Sequence, residues 1–118
     1  MPMIENRKFI RLRAPLPVEY RLIKKHKRQK SFVSKITNIC IGGLRLAVKE
    51  PVRHGDLMQI DIQVPQWVEP VRVVADVVWH SASGDRENPA REAGVRFRDV
   101  NPVELNKILD YVYSAAIG

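Results

Sequence analysis

Two arginines near the N-terminus and a glycine-containing turn carry the side chains best suited to binding an anionic, planar ligand. Arg7 and Arg11 form an R-x-x-x-R pattern. Guanidinium groups bind phosphate through paired hydrogen bonds, read the Hoogsteen edge of guanine and stack on purine rings. The segment NICIGG (38–43) adds the amide of Asn38 and, at Gly43, a backbone that a ligand can approach closely. These residue types predict binding rather than catalysis.

The remaining reactive side chains lack the spacing that an active site or a metal centre needs. His26, His54 and His80 lie in three separate segments, and the single cysteine, Cys40, excludes an internal disulfide and a cysteine-built zinc site. The sequence has no zinc-protease, serine-hydrolase or nucleotide-loop motif. We therefore expect no enzymatic activity, no metal and no cofactor.

The positive charge of the chain is concentrated in its first third. The 118 residues include 20 Lys and Arg and 13 Asp and Glu, a net charge of +7. Residues 1–35 hold eleven of the basic and two of the acidic residues, a net +9, so the rest carries −2. Clustered basic residues attract polyanions. The run from Lys24 to Lys30 is also typical of a solvated loop tip, so part of this charge needs no ligand.

Six segments have the patterns of β-strands. Some alternate apolar and polar residues, and others are rich in β-branched residues, as strands are. The segments are 16–23, 32–40, 43–49, 57–65, 71–79 and 93–100. Residues 81–92 have turn chemistry throughout and predict a connection between the last two strands. Short strands joined by turns favour a small antiparallel barrel.

The C-terminal segment predicts an amphipathic helix over about residues 101–116. Asn101 has the side chain of a helix cap, Pro102 suits the first helical position and Glu104 follows three residues after the cap. Apolar residues then recur on one helical face. No apolar run is long enough to span a membrane. The start MPMIENRKFIRLR lacks the apolar centre of a signal peptide, which predicts a cytoplasmic protein.

Taken in order, these motifs resemble the PilZ domain. That family pairs an N-terminal R-x-x-x-R with a later [D/N]-x-S-x-x-G motif. Arg7 and Arg11 match the first motif, and Asn38, Cys40 and Gly43 lie on the second. The likeness continues through the segments LPVEY (16–20), VVW (77–79) and GVRF (94–97) and the terminal helix.

The resemblance implies a mostly β fold, a six-stranded antiparallel β-barrel with a C-terminal amphipathic helix. Residues 1–13 would form a flexible basic leader, and residues 14–118 a single domain. The family's usual ligand is the bacterial second messenger cyclic di-GMP. By this resemblance Arg7 and Arg11 clamp phosphate and guanine, Asn38 contacts a base and Gly43 permits the turn.

Three further residues bear on the site that the resemblance implies. Cys40 stands where the family has serine, and a thiol is a weaker hydrogen-bonding group than a hydroxyl. Lys8 adds charge beside the arginines without their bidentate geometry. Trp79 ends a strand whose odd-numbered residues are expected to face the core. This pattern predicts a buried ring. The alternative is a ring on the barrel surface that stacks on guanine.

The favoured interpretation is a single-domain bacterial cyclic di-GMP receptor, whose leader orders on the ligand and which signals through an unidentified protein partner. The output would be of the motility, biofilm or polysaccharide type. The alternative is a degenerate PilZ domain that acts as a protein-interaction adaptor without nucleotide binding, for example in type IV pilus or flagellar function. A nucleic-acid partner is disfavoured because the strands show no regular platform of exposed aromatic residues.

Overall fold

Seven β-strands and one C-terminal helix make up the part of the chain that the computed structural model describes, residues 12–13, 15–24, 29–85, 87 and 89–117. The strands are β1 (Leu12–Arg13), β2 (Pro17–Ile23), β3 (Phe32–Ile39), β4 (Gly43–Val48), β5 (Leu57–Ile62), β6 (Val71–Gly84) and β7 (Pro89–Asp99). The helix α1 covers Pro102–Ile117.

Six of these strands form a closed antiparallel barrel. They follow one another in the order β3, β2, β5, β6, β7, β4, and β4 pairs again with β3. The alternation in the sequence explains which face of each strand is buried, as in β2, where Val18, Tyr20 and Leu22 lie in the core. Burial raises the pKa of the Tyr20 phenol, whose oxygen accepts a hydrogen bond of 2.7 Å from the Lys49 N–H. The predicted six-stranded barrel with a C-terminal helix is confirmed.

The short strand β1 pairs with β3 beyond the end of β2. Leu12 pairs with Ile39 and Arg13 with Asn38, on the same edge of β3 that β2 occupies further along. Helix α1 also contacts β1. The last two residues of the predicted leader, 1–13, are therefore paired with the barrel. Residues 1–11 lie outside the described residues.

The hairpin of β6 and β7 is longer than the sequence predicts. The turn predicted over residues 81–92 is wrong, because β6 runs to Gly84 and β7 begins at Pro89. A register shift lies between Val77 and Trp79. The extra residue reverses the alternation, so that Val77 is buried while Trp79 is 40% exposed. The prediction of a core position for Trp79 is wrong for this reason, and the ring lies on the surface.

The helix begins where the sequence predicts it. The Oδ1 of Asn101 accepts hydrogen bonds from the N–H groups of Val103, at 2.9 Å, and Glu104, at 3.1 Å, which is the geometry of an N-cap. The apolar face then joins the barrel core through Leu105, Ile108, Leu109 and Val112. Among the described residues, no helix combines the length and the hydrophobicity that crossing a membrane would take.

Candidate functional site

Strand pairing places Asn38, Arg45, Gly94 and Trp79 in one row across the outside of the barrel. Asn38 pairs with Arg45, Arg45 with Gly94, and Gly94 with Trp79. On the other side Asn38 pairs with Arg13 of β1, so the row crosses five strands. Directly opposite residues on neighbouring strands project from the same face, and Asn38, Arg45 and Trp79 are each at least partly exposed. One ligand can therefore meet several of these positions at once.

Arg45 and Trp79 are in contact because glycine separates them. The guanidinium carbon of Arg45 lies 4.6 Å from the centre of the Trp79 ring, which is cation–π geometry. A Cβ on Gly94 would lie 3.4 Å from Cε3 of the ring, close to the limit of ordinary contact. The glycine leaves room for the guanidinium to approach the ring. The row therefore presents an aromatic ring and a positive charge side by side.

A groove of about 590 Å³ runs beside this row. Its size falls in the range of small-molecule sites. It is lined by Pro15, Lys35, Ile36, Thr37, Asn38, Arg45 and Glu92. Within it, Nη1 of Arg45 lies 3.9 Å from Oε1 of Glu92. The groove thus offers cationic, amide, hydroxyl and carboxylate groups together.

A β-bulge fixes the position of Asn38 in the groove. The register of β3 against β4 shifts between Ile36 and Asn38, and Thr37 lies within that shift. The Thr37 hydroxyl donates a hydrogen bond of 3.1 Å to the carbonyl oxygen of Arg45. The bulge therefore brings Thr37 and Asn38 to the strand that carries Arg45.

The turn that follows β3 is held by backbone hydrogen bonds. The Cys40 N–H donates to the Gly43 carbonyl, and the Phe97 N–H donates to the Gly42 carbonyl, both at 2.9 Å. A Cβ on Gly43 would collide with the carbonyl oxygen of Val95 on β7. The structural reason for glycine at this position is close strand packing, because Gly43 does not adopt the positive φ that a glycine-dependent turn uses.

Next to this turn, a buried carboxylate pairs with an exposed arginine. Gly43 pairs with Arg96, and Arg96 pairs with Asp76. Asp76 is 6% exposed, and its Oδ2 accepts a hydrogen bond of 3.2 Å from Nη2 of Arg96. The Asp76 carboxylate is thus buried against Arg96. Among the described residues, its Oδ1 has no hydrogen-bond partner.

Replacing Arg96 by alanine is expected to lower the free energy of unfolding by about 1–3 kcal/mol, because it leaves a buried carboxylate without its charged donor. Urea denaturation measures this change. Arg98→Ala is the matched control, since Arg98 is an exposed arginine on the same strand, and we expect it to stay within about 0.5 kcal/mol of wild type. Equal stabilities of the two variants would contradict the prediction.

The structure describes four of the seven residues that the sequence assigns to the site. Asn38 and Trp79 lie in the row, and Cys40, which is half-buried, and Gly43 lie in the adjoining turn. Arg7, Lys8 and Arg11 lie outside the described residues.

Sequence reasoning missed Arg45 and Glu92. The alternation of Leu44, Arg45 and Leu46 in β4 indicates that the arginine faces outward. Its contact with Trp79 depends on strand pairing and on the bulge in β6, for which the sequence gives no signal. Glu92 falls in the segment for which a turn is predicted, and therefore has no assigned face.

Among the described residues, no three His, Cys, Asp or Glu side chains are grouped so that they could hold a metal ion.

In the family comparison, residues 5–114 match the PilZ domain. The chain belongs to the PilZ domain family. The match covers both motifs of the site, including the arginines outside the described residues. A search of curated proteins gives no match for this PilZ domain.

Solved PilZ structures share the fold of this domain. The PilZ domain of YcgR from Escherichia coli, solved with cyclic di-GMP, is 19% identical, with a TM-score of 0.65 over 89% of this chain and 87% of that one. The motility inhibitor MotI (DgrA) of Bacillus subtilis is 13% identical, with a TM-score of 0.64 over 91% of this chain and 50% of that one. MrkH of K. pneumonia in its apo state is 19% identical, with a TM-score of 0.69 over 91% of this chain and 51% of that one. The chain thus spans about half the length of MotI and MrkH.

Proposed function

We propose that this PilZ domain is a receptor for cyclic di-GMP that performs no chemistry on its ligand. The observation that carries the proposal is the pairing of Arg13 with Asn38. Arg13 stands two residues after Arg11 in the sequence, and its partner belongs to the row that contains Arg45 and Trp79. This pairing supports the proposal that the two family motifs, far apart in sequence, bind one ligand together.

The chemistry of this surface suits a cyclic dinucleotide. Arg7 and Arg11 would bind the phosphates and guanine, with Lys8 adding charge, and Asn38 would contact a base edge. The Trp79 ring and the Arg45 guanidinium are planar groups on which a purine can stack. The ligand's two phosphates would offset the net +9 of residues 1–35. Neutralisation of that charge favours an ordered leader over the barrel.

Two of the similar proteins support the choice of ligand. The YcgR domain is solved with cyclic di-GMP, and MrkH is known both in its apo state and as a cyclic di-GMP complex.

Isothermal calorimetry of the wild-type protein with cyclic di-GMP tests the proposal. We expect saturable heat at micromolar ligand. Cyclic GMP serves as the control, since it carries one guanine and one phosphate and cannot engage the row and both arginines together. An absence of heat at high micromolar cyclic di-GMP would overturn the proposal.

We further propose that the liganded domain acts through a protein partner in the bacterial cytoplasm, with a motility, biofilm or polysaccharide-type output. An ordered leader next to β1 would create a surface that includes α1, because α1 contacts β1. Capture of partners from a cell lysate, with and without cyclic di-GMP, tests this step. Identical partners in both conditions would count against it.

The second candidate is an adaptor that binds protein without nucleotide, and Cys40 is the observation that favours it. The thiol stands where the family's serine would donate a hydrogen bond to the ligand. If the domain is a receptor, Cys40→Ser is expected to tighten cyclic di-GMP binding by up to about tenfold, the value of one neutral hydrogen bond. Cys40→Ala is the matched control and should gain nothing. Binding that occurs only in Cys40→Ser would favour the adaptor.

A further inference from the structure

Glu92 is an acidic side chain in a groove that we have proposed to hold an anion. It lies on β7 two residues before Gly94, its side chain is 33% exposed, and it lines the same groove as Asn38 and Arg45. Of the described residues that line this groove, it alone is acidic. A carboxylate there repels phosphate. It would instead attract a part of the ligand that donates hydrogen bonds.

The ion pair with Arg45 leaves the carboxylate able to accept hydrogen bonds. The shortest separation between the two groups, 3.9 Å, is beyond hydrogen-bonding distance. A carboxylate has two oxygens, each with two acceptor positions. Such a half-exposed pair contributes little to stability. The Arg45 guanidinium is itself held against the Trp79 ring, so it does not depend on Glu92 for its position.

We propose that Glu92 makes the site specific for guanine by accepting two hydrogen bonds from the base, one from N1–H and one from the 2-amino group. This inference rests on the proposed function. Guanine presents two adjacent donors on its Watson–Crick edge, and a carboxylate presents two adjacent acceptors. Adenine presents an acceptor at N1, which a carboxylate repels.

The opposite edge of the same base matches the other polar group of the groove. Guanine has two acceptors, N7 and O6, on its Hoogsteen edge. The Asn38 amide, on β3 across β4 from Glu92, can donate to that edge. A guanine between them lies beside the Arg45 guanidinium, a plane on which it can stack. In the proposed complex, an amide donor and a carboxylate acceptor from the groove lining would meet opposite edges of one base.

Glu92→Gln tests this inference, with calorimetry against cyclic di-GMP, cyclic di-AMP and cyclic di-IMP, the inosine analogue that lacks the 2-amino group. We expect the variant to bind cyclic di-GMP about 10- to 100-fold more weakly, the value of hydrogen bonds to a charged group. Cyclic di-AMP should bind the Glu92→Gln variant at least as tightly as it binds the wild-type protein. The reason is that a glutamine amide offers adenine both an acceptor and a donor. The loss for cyclic di-IMP should be smaller than for cyclic di-GMP.

Glu69→Gln is the matched control, since it makes the same charge change at an exposed residue that does not line the groove. A wild-type protein that binds cyclic di-GMP and a Glu92→Gln variant with unchanged affinity would overturn the inference alone. Equal losses for all three ligands would also overturn it, because they would indicate a general charge effect. A wild-type protein that binds none of them would overturn the proposed function, and the inference with it.

Discussion

Replacement of Arg7 and Arg11 by alanine is expected to weaken cyclic di-GMP binding by more than about 100-fold. Each arginine can supply hydrogen bonds to a charged phosphate, and bonds of this kind are worth about 1.5–3 kcal/mol each. Losing one from each side chain removes about 3 kcal/mol or more of binding free energy. Calorimetry of the double variant measures the change directly.

The matched control for this double variant is Arg21→Ala/Lys24→Ala. Both residues are exposed, and neither lines the groove beside Asn38. It removes the same two positive charges, so any long-range effect of net charge appears in both proteins. We expect the control to change affinity by less than about threefold at physiological salt, because salt screens the interaction of exposed charges with a ligand that they do not contact. Equal weakening in both proteins would show that Arg7 and Arg11 act only through net charge.

Replacing Gly43 by alanine is expected to destabilise the fold by about 3 kcal/mol or more, at the upper end of what overpacking costs. The new Cβ would overlap the carbonyl oxygen of Val95, a backbone atom that cannot move without shifting β7. For a domain of this size, that change lowers the unfolding temperature by about 10 °C or more. Thermal unfolding followed by circular dichroism measures it.

Gly42 provides the control for this substitution. It is the adjacent residue, and a Cβ placed on it would meet nothing within 4 Å. Gly42→Ala is therefore expected to change the free energy of unfolding by less than about 1 kcal/mol. If the two alanine variants unfold at the same temperature, close packing against β7 is not the reason for glycine at position 43.

The features that sequence reasoning predicted correctly are those with local causes. The cap at Asn101 depends on residues within one helical turn, and the alternation of β2 depends on residues two apart. The two-motif pattern also identified the family, because Asn38 and Gly43 stand at fixed spacing in one short segment.

The features that it missed depend on which strands pair and in what register. The bulge before Trp79 adds one residue to β6, and this alone moves the ring from the core to the surface. The role of Gly43 depends on Val95, far away in the chain. Arg45 and Glu92 share a groove because β4 pairs with β7. These strand pairings and their registers cannot be predicted from the local patterns of a single sequence.

Strand β1 is joined to β3 through two residue pairs, whereas the barrel strands pair over longer stretches. Short edge segments generally open at a smaller free energy than the one needed to unfold the whole domain. Release and docking of β1 can therefore reach equilibrium while the barrel stays folded. A ligand that binds only the docked form needs to shift this small local equilibrium and nothing else.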